Sequence, residues 1–172
     1  GSHSMISEIS DKFNNIVVST GASYDEEIQL TAKILKKRKK NFTLLHCVTL
    51  YPTPLNELHL SRLKFLKNNS KNIGYSDHTE GVSAVNYAVA LGAKIIEIHF
   101  TDSREGKVFR DHKVSFTPDE LKYFKASELR HCHHKMNFKK HCAVPNHFAC
   151  NYDEKFQKQK FYSDHMFLIK QS

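Results

Sequence analysis

The chain has 172 residues, a hydrophobic fraction of 40% and a mean hydropathy of -0.54, which fit one soluble domain or one domain with a tail. This composition excludes collagen-like and wholly disordered chains, and no apolar run reaches the about 20 residues that cross a bilayer. The net charge of +8 comes from the run at 36–40 and the segment 126–172, and we interpret both as solvated surface. Four irregularly spaced cysteines argue against a secreted disulfide framework and favour a reduced, cytoplasmic setting.

The order of the predicted elements indicates an α/β fold. Residues 1–5 look like the remnant of a cleaved expression tag, so we leave them out of the fold prediction. A short helix is expected near 6–13, and strands are predicted at 16–20, 42–47, 72–75 and 94–99, with helices at about 25–38, 56–68 and 81–91 and from 117 onward. This βαβαβαβα order predicts four parallel strands in sequential order, with helices on one face.

Polar side chains follow the carboxyl end of each predicted strand, where parallel α/β proteins build their sites. They are Ser19, Thr20, His46, Cys47, Thr49, Tyr51, Ser76, Asp77, His78, Thr79, Glu97, His99, Asp102, Asp111 and His112. His78 and His99 follow consecutive strands, so we expect them to lie close together. Two neutral imidazoles with carboxylates or waters form a divalent-metal site, whereas the alternative is that both are packed structural histidines.

Several of these strings occur together, and in the same order, in a known family. They are Ser19-Thr20-Gly21, Leu45-His46-Cys47, Tyr51-Pro52-Thr53-Pro54, Gly74-Tyr75-Ser76-Asp77-His78-Thr79, the segment 91–100 and Asp111-His112-Lys113. From about 14 to 125 the chain resembles the sialic acid synthases, the group of N-acetylneuraminate, legionaminate and pseudaminate synthases. The resemblance implies the second half, strands five to eight, of a (β/α)8 TIM barrel. It also implies a transferase that condenses phosphoenolpyruvate with an N-acetylated aminosugar and releases phosphate.

The resemblance further implies a cofactor and its ligands. His78 and His99 would be the protein ligands of a manganese or magnesium ion, which would act as a Lewis acid on the aldehyde of the open-chain sugar. A half-barrel leaves two open edges and an uncovered inner face, so we expect a homodimer, cytoplasmic by its cysteine usage and with no membrane partner. Nucleic acid is not expected as a partner under this interpretation.

Substrate contacts follow from the same motifs. Ser76 and Thr49 would contact phosphoenolpyruvate, while Tyr51 and Asp111 would be catalytic and would contact the sugar and the attacking water. The sequence departs from the family at Thr49, where Asn is usual, and at Ile98, where Lys is usual. It also has Phe109-Arg110 where Gly-Pro is usual, a variation that we associate with the nonulosonate branches.

The remainder of the chain leaves a second hypothesis open. A complete barrel needs about 250 residues, so we expect residues 6–125 to be a partial synthase domain with little activity alone. The segment 126–172 is basic and rich in histidine and cysteine, and we expect a disordered tail that packs on the exposed edge of the sheet. A zinc site there is the alternative, with candidate ligands Cys132, His134, His141, Cys142, His147 and Cys150. The chain would then be a non-catalytic half-barrel that binds metal or nucleic acid through this tail.

Overall fold

The computed structural model describes residues 2–124 and 166–171, which form a curled parallel sheet with helices against one face. Its strands, in spatial order, are β1 (Asn15–Ser19), β2 (Asn41–Cys47), β3 (Asn72–Ser76), β4 (Ile95–Phe100) and β5 (Met166–Gln171). The first four confirm the prediction of parallel strands in sequential order, and together they make a half-barrel. β5 extends the sheet parallel to β4. The candidate zinc ligands between Cys132 and Cys150 lie outside the described residues.

Helices follow the strands much as the sequence predicts. They are α1 (His3–Lys12), α2 (Asp25–Lys37), α3 (Arg62–Asn69), α4 (Ser83–Ala90), α5 (Asp111–Val114) and α6 (118–124). Within these described segments, no helix combines the length and the apolar character needed to cross a membrane. α1 includes His3 to Met5, which the fold prediction had left out.

One predicted helix differs from the structure for a local reason. The helix predicted at 56–68 is divided into a 3-10 turn (Leu55–Glu57) and α3, because His59 adopts a left-handed backbone with φ of 46°. α2 agrees with its predicted bounds to within one residue, and the amide of its N-cap residue, Tyr24, donates a hydrogen bond of 2.9 Å to the Glu27 carboxylate.

The hydrophobic core lies between the sheet and the helices. α2 places Ile28, Ala32 and Leu35 against it, at the spacing of four and three residues that brings side chains onto one helix face. From the sheet, Leu44 and Ile96 are fully buried in the same cluster. Burial of apolar surface at about 25 cal/mol per Å² therefore holds the helices to this face and leaves the other face for polar chemistry.

The register of the strands decides which side chains share the inner face. Cys47 pairs with Ser76, and Ser76 pairs with Glu97, so the three side chains stand side by side. Because side chains alternate along a strand, the preceding pair, His46 and Tyr75, faces the helices instead. The inner face therefore presents polar groups at the carboxyl ends of three consecutive strands.

Gly74 in β3 permits the close approach of the neighbouring strand and side chain. A Cβ at this position would lie 2.3 Å from the Ile95 carbonyl oxygen and 2.4 Å from Leu45 Cδ2. We predict that Gly74→Ala lowers the free energy of unfolding by at least about 2 kcal/mol, since the strands would have to separate. Urea denaturation followed by circular dichroism measures this change.

Gly106→Ala is the matched control for this prediction. Gly106 has a φ of 69°, but a Cβ there meets no atom within 4 Å. Only backbone strain of about 1 kcal/mol is then expected. Equal losses for the two variants would show that the contact at Gly74 is not the limiting constraint.

Candidate active site

An open cavity of 390 Å³ lies over the inner face at the carboxyl ends of the strands. It is lined by Val17, Ser19, Leu45, Cys47, Thr49, Tyr51, Ser76, His78 and Glu97. Four of these, Thr49, Tyr51, Ser76 and His78, are predicted site residues. Ser19, Cys47 and Glu97 were noted at strand ends but were not assigned to the site. The alternation of side chains along a strand would have placed Cys47 and Glu97 on the face of the site, because they stand two residues before Thr49 and His99.

Tyr51 and His78 form the closest polar pair of the site. The Tyr51 hydroxyl lies 2.6 Å from His78 Nε2, and the ring centroids are 4.0 Å apart. On the other side of the imidazole, His78 Nδ1 lies 2.8 Å from the carbonyl oxygen of Val48. The His78 carbonyl in turn accepts a hydrogen bond of 2.8 Å from the Thr53 amide. These contacts fix the imidazole between the β2 loop and the end of β3.

His99 and Asp111 adjoin this pair. The His99 ring centroid lies 5.3 Å from that of His78 and 5.7 Å from that of Tyr51. His99 Nδ1 is 3.8 Å from Asp111 Oδ2, because the short helix α5 carries Asp111 back over the end of β4. The structure thus brings together Tyr51, both histidines and Asp111, although they lie 60 residues apart in the sequence at their extremes.

Arg110 stands at the rim of this cluster. Its guanidinium carbon lies 5.1 Å from the centroid of the Tyr51 ring, a cation–π distance, and its Nε lies 3.8 Å from Asp111 Oδ1. Burial raises the pKa of the Tyr51 hydroxyl, and electrostatic interactions with Cys47, Asp111 and Glu97 act in the same direction against the opposing charge of Arg110. Tyr51 is therefore a protonated hydrogen-bond donor at neutral pH.

The remaining predicted contacts lie along the inner face. Ser76 is buried and donates a hydrogen bond of 2.8 Å to Glu97 Oε1, whereas Thr49 is exposed at the cavity wall. Ser76 Oγ retains acceptor capacity toward a ligand, since a hydroxyl offers two lone pairs. A small-molecule anion at this wall would meet the hydroxyl of Thr49, from the loop after β2, and that of Ser76, provided that Ser76 turns its proton from Glu97 to the anion.

Two polar residues singled out at the strand ends lie on the opposite face. His46 packs toward the helices, where its Nε2 lies 2.7 Å from the Leu58 carbonyl, and burial lowers its pKa. Asp77 is also buried there. It accepts hydrogen bonds from the Tyr75 hydroxyl at 3.0 Å and from the Thr79 amide at 3.1 Å. These groups support the loop behind the site and do not line the cavity.

Two further candidates from the sequence also have structural partners. Asp102 is exposed and forms an ion pair with Lys107, and a hydrogen bond from Lys107 is the main reason why its pKa is lowered to about 2. His112 Nδ1 lies 3.2 Å from Thr101 Oγ1. Both contacts hold the loop that carries Asp111 and leave the chemistry to other residues.

The imidazole nitrogens of His78 and His99 are chemically suited to bind a divalent ion. Because a carbonyl oxygen can only accept, Val48 fixes the proton on His78 Nδ1 and leaves the electron pair on Nε2, as is usual for a metal-ligating histidine. The second imidazole, His99, is close enough to share one ion with it. Among residues 2–124 and 166–171, no group of three histidine, cysteine or acidic side chains is arranged around one point. The residues therefore fit a site with two imidazole ligands and water in the other positions.

Comparison with known proteins finds one family along most of the chain. The model of the NeuB family matches residues 2–140. The N,N'-diacetyllegionaminic acid synthase of Campylobacter jejuni is 45% identical over 111 residues, which are 62% of this chain and 33% of that protein. The N-acetylneuraminate-9-phosphate synthase of Drosophila melanogaster is 36% identical over 110 residues, with 62% and 29% covered. The chain thus spans about a third of the length of the curated relatives it matches.

Solved structures share the fold. An N-acetylneuraminic acid (sialic acid) synthetase from Leptospira borgpetersenii superposes with a TM-score of 0.69 at 35% identity, over 74% of this chain and 45% of that one. A spore coat polysaccharide biosynthesis protein from Bacillus subtilis gives a TM-score of 0.66 at 28% identity, over 74% and 38%. The half-barrel described above is therefore part of a recurring architecture.

The buried carboxyl of Asp77 makes stability depend on pH. Burial raises its pKa from 3.8 to about 6, against the lowering effect of the hydrogen bonds from Thr79, Tyr75 and the His78 amide. Between about pH 4 and pH 6 the unfolded chain loses this proton while the folded chain keeps it, so the folded state loses up to about 3 kcal/mol. We predict that Asp77→Asn abolishes this dependence, as urea denaturation at a series of pH values would measure.

Asp119→Asn is the control for the pH series, because Asp119 is 93% exposed and its only described ion pair is with Lys122 on the surface. Its stability profile is expected to match that of the parent chain. If the difference between parent and Asp77→Asn is the same at pH 4 and at pH 7, then Asp77 does not titrate in this range.

Proposed function

Because the chain belongs to the NeuB family, we propose that it is the second half, strands five to eight, of a (β/α)8 barrel in a sialic-type acid synthase. In the proposed reaction the methylene carbon of phosphoenolpyruvate forms a carbon–carbon bond to the aldehyde carbon of an N-acetylated aminosugar. Water adds to C2 of the former phosphoenolpyruvate, and inorganic phosphate leaves. The convergence of Tyr51, His78, His99 and Asp111 at one end of the sheet is the observation that carries this proposal.

We propose that His78 and His99 hold a manganese or magnesium ion. The chemistry that such an ion supplies when bound is Lewis-acid polarisation of a carbonyl oxygen. His78 contributes Nε2, because its Nδ1 proton is bonded to the Val48 carbonyl. The ring of His99 stands 5.3 Å from that of His78 and makes the second nitrogen available to the same place.

The protein groups around these imidazoles suit a polyhydroxylated substrate. Asp111 is a partly exposed carboxylate that can accept hydrogen bonds from sugar hydroxyls and take a proton from the attacking water. Tyr51 can donate a hydrogen bond to a sugar oxygen, since burial keeps its hydroxyl protonated. Tyr51 comes from the loop after β2 and Asp111 from the start of α5, both at the carboxyl ends of the strands, so they can orient the sugar over the inner face.

Phosphoenolpyruvate is proposed to bind along the wall that Ser76 and Thr49 form. The Ser76 hydroxyl donates its single proton to Glu97, so a contact to a phosphoenolpyruvate oxygen requires that the hydroxyl turn this proton from Glu97 to the ligand. Thr49 offers a hydroxyl where the resembling family has an amide, so it can make at most one donor contact to the carboxylate or phosphate. No lysine or arginine is among the described residues that line this cavity, so cationic partners for phosphoenolpyruvate would come from the part of a full-length synthase that this chain does not span.

We further propose a cytoplasmic homodimer. Within the described sheet β1 is an edge strand, and Val17 on it is 37% exposed; the other half of the proposed barrel would cover this edge, or a second copy where the chain exists alone. The cysteine usage discussed above supports the compartment.

The alternative function of the basic tail concerns residues 126–172, nearly all of which lie outside the described residues, and it stays a prediction.

The metal assignment predicts a specific pattern of loss. His78→Ala and His99→Ala should each weaken manganese binding at least about tenfold in isothermal titration calorimetry, since each removes one of two nitrogen ligands. His59→Ala, which alters an exposed histidine paired with Glu57, should bind like the parent. Affinity should fall below about pH 6, because an imidazole must be neutral to bind a metal. Undiminished manganese binding by the variant that carries both His78→Ala and His99→Ala would place the metal site elsewhere.

The partial barrel predicts that the 172-residue chain alone releases little or no phosphate from phosphoenolpyruvate and an N-acetylated hexosamine. Transition-state stabilisation needs groups from the whole ring of strands, and this chain supplies half of them. A phosphate-release assay with manganese tests the expectation, and robust turnover would contradict it.

A chimera separates the function of this segment from its incompleteness. Residues 14–124 can replace the corresponding third of the Campylobacter jejuni synthase, which is 45% identical to this chain over 111 residues. We expect phosphate release from the chimera, and a loss of at least about a hundredfold in its Asp111→Ala variant. An inactive but folded chimera would argue against the proposed function.

A further inference from the structure

Tyr51 occupies the nitrogen of His78 that a metal ion would use. The carbonyl of Val48 accepts the Nδ1 proton of His78 at 2.8 Å, so the electron pair of the ring is on Nε2. The Tyr51 hydroxyl lies 2.6 Å from this Nε2 and is therefore the donor in their hydrogen bond. An imidazole nitrogen has one electron pair in the plane of its ring, so the same pair cannot serve a hydroxyl proton and a metal ion at once.

The position of Tyr51 is fixed by its neighbours. Its ring packs on that of His78 at 4.0 Å between centroids, tilted by 33°, and meets His99 edge-on at 5.7 Å. The Arg110 guanidinium lies 5.1 Å from the centroid of the Tyr51 ring. These ring contacts do not involve the hydroxyl, so they would persist if the hydroxyl were removed. The hydrogen bond to Nε2 is thus a separable component of the arrangement.

We propose that Tyr51 is a displaceable cap on His78 Nε2, so that an ion binds only when the Tyr51 hydroxyl leaves. The proposal rests on the proposed role of His78 as a metal ligand. Once displaced, the hydroxyl has lost its acceptor, and the cavity that Tyr51 lines offers a substrate oxygen as the replacement. Tyr51 thereby couples the two events: loading of the metal site prepares a donor for the sugar. The affinity of the chain for the ion is correspondingly lower than two imidazoles alone would give.

The phenylalanine variant isolates the hydroxyl. Tyr51→Phe keeps the ring against His78 and Arg110 but removes the cap, so manganese affinity in isothermal titration calorimetry should rise about three- to tenfold. A tenfold change corresponds to about 1.4 kcal/mol, which is the net size of one hydrogen bond. Tyr24→Phe makes the same chemical change at a side chain that is 79% exposed, and it should leave the affinity unchanged.

A measurement without metal tests the cap directly. In a ¹⁵N NMR spectrum of the histidine side chains, His78 should be the tautomer with its proton on Nδ1. The Nε2 resonance should shift in Tyr51→Phe, because its hydrogen bond is lost, and it should not shift in Tyr24→Phe. A proton on Nε2, or an Nε2 resonance that is unmoved by Tyr51→Phe, would overturn the proposal.

The calorimetric outcomes distinguish this proposal from the function on which it rests. If His78→Ala abolishes binding while Tyr51→Phe equals the parent, the metal site stands and the cap is wrong. If Tyr51→Phe binds more weakly than the parent, the hydroxyl supports the ion rather than competing with it, and the proposal also fails. If no variant and no parent chain binds manganese, both the metal assignment and the cap are overturned.

Discussion

The parallel register across β2, β3 and β4 is the constraint on which the site depends. It aligns Cys47, Ser76 and Glu97 on the inner face and carries His78 and His99 to the same end of the sheet. A slip of one residue in any strand would turn these side chains toward the helices and bring His46 and Tyr75 to the cavity. The buried apolar positions of the outer face, such as Leu44 and Ile96, prevent that slip because they would become exposed.

Support from behind the sheet fixes the loop after β3. Asp77 is buried between Tyr75 and Thr79 and accepts hydrogen bonds from both, while the backbone of His78 bonds to Thr53 in the neighbouring loop. A carboxylate in this position is costly to bury, and its raised pKa expresses that cost. The loop is consequently held from both faces of the sheet, which allows a single imidazole to be oriented by one carbonyl and one hydroxyl.

The family match and the structural match cover largely the same part of the chain. The family match extends over residues 2–140, and the fold superposes on an N-acetylneuraminic acid (sialic acid) synthetase from Leptospira borgpetersenii at 35% identity. The site residues all lie on elements within this match. The chain spans about a third of the length of the curated relatives it matches, and it supplies one wall of the proposed site.

Sequence alone determined the parallel order of β1 to β4 and the end of the sheet at which Tyr51, His78, His99 and Asp111 meet. It could do so because β-branched runs, glycine turns and amphipathic spacing are local signals, and because parallel strands bring their carboxyl ends together. Sequence did not predict the division of the helix at 56–68, since no glycine marks the left-handed backbone that His59 adopts.

The tertiary structure alone decided which polar residues turn toward the cavity. Alternation along β2 places the adjacent His46 and Cys47 on opposite faces, but only the packing of the helices decides that the face of Cys47 is the one that borders the cavity. It also decided that Tyr51 meets His78 Nε2, a contact between a loop and a strand end 27 residues apart. Such contacts arise from the packing of separate βα units. No local propensity encodes the distance between two side chains that come together only in the folded sheet.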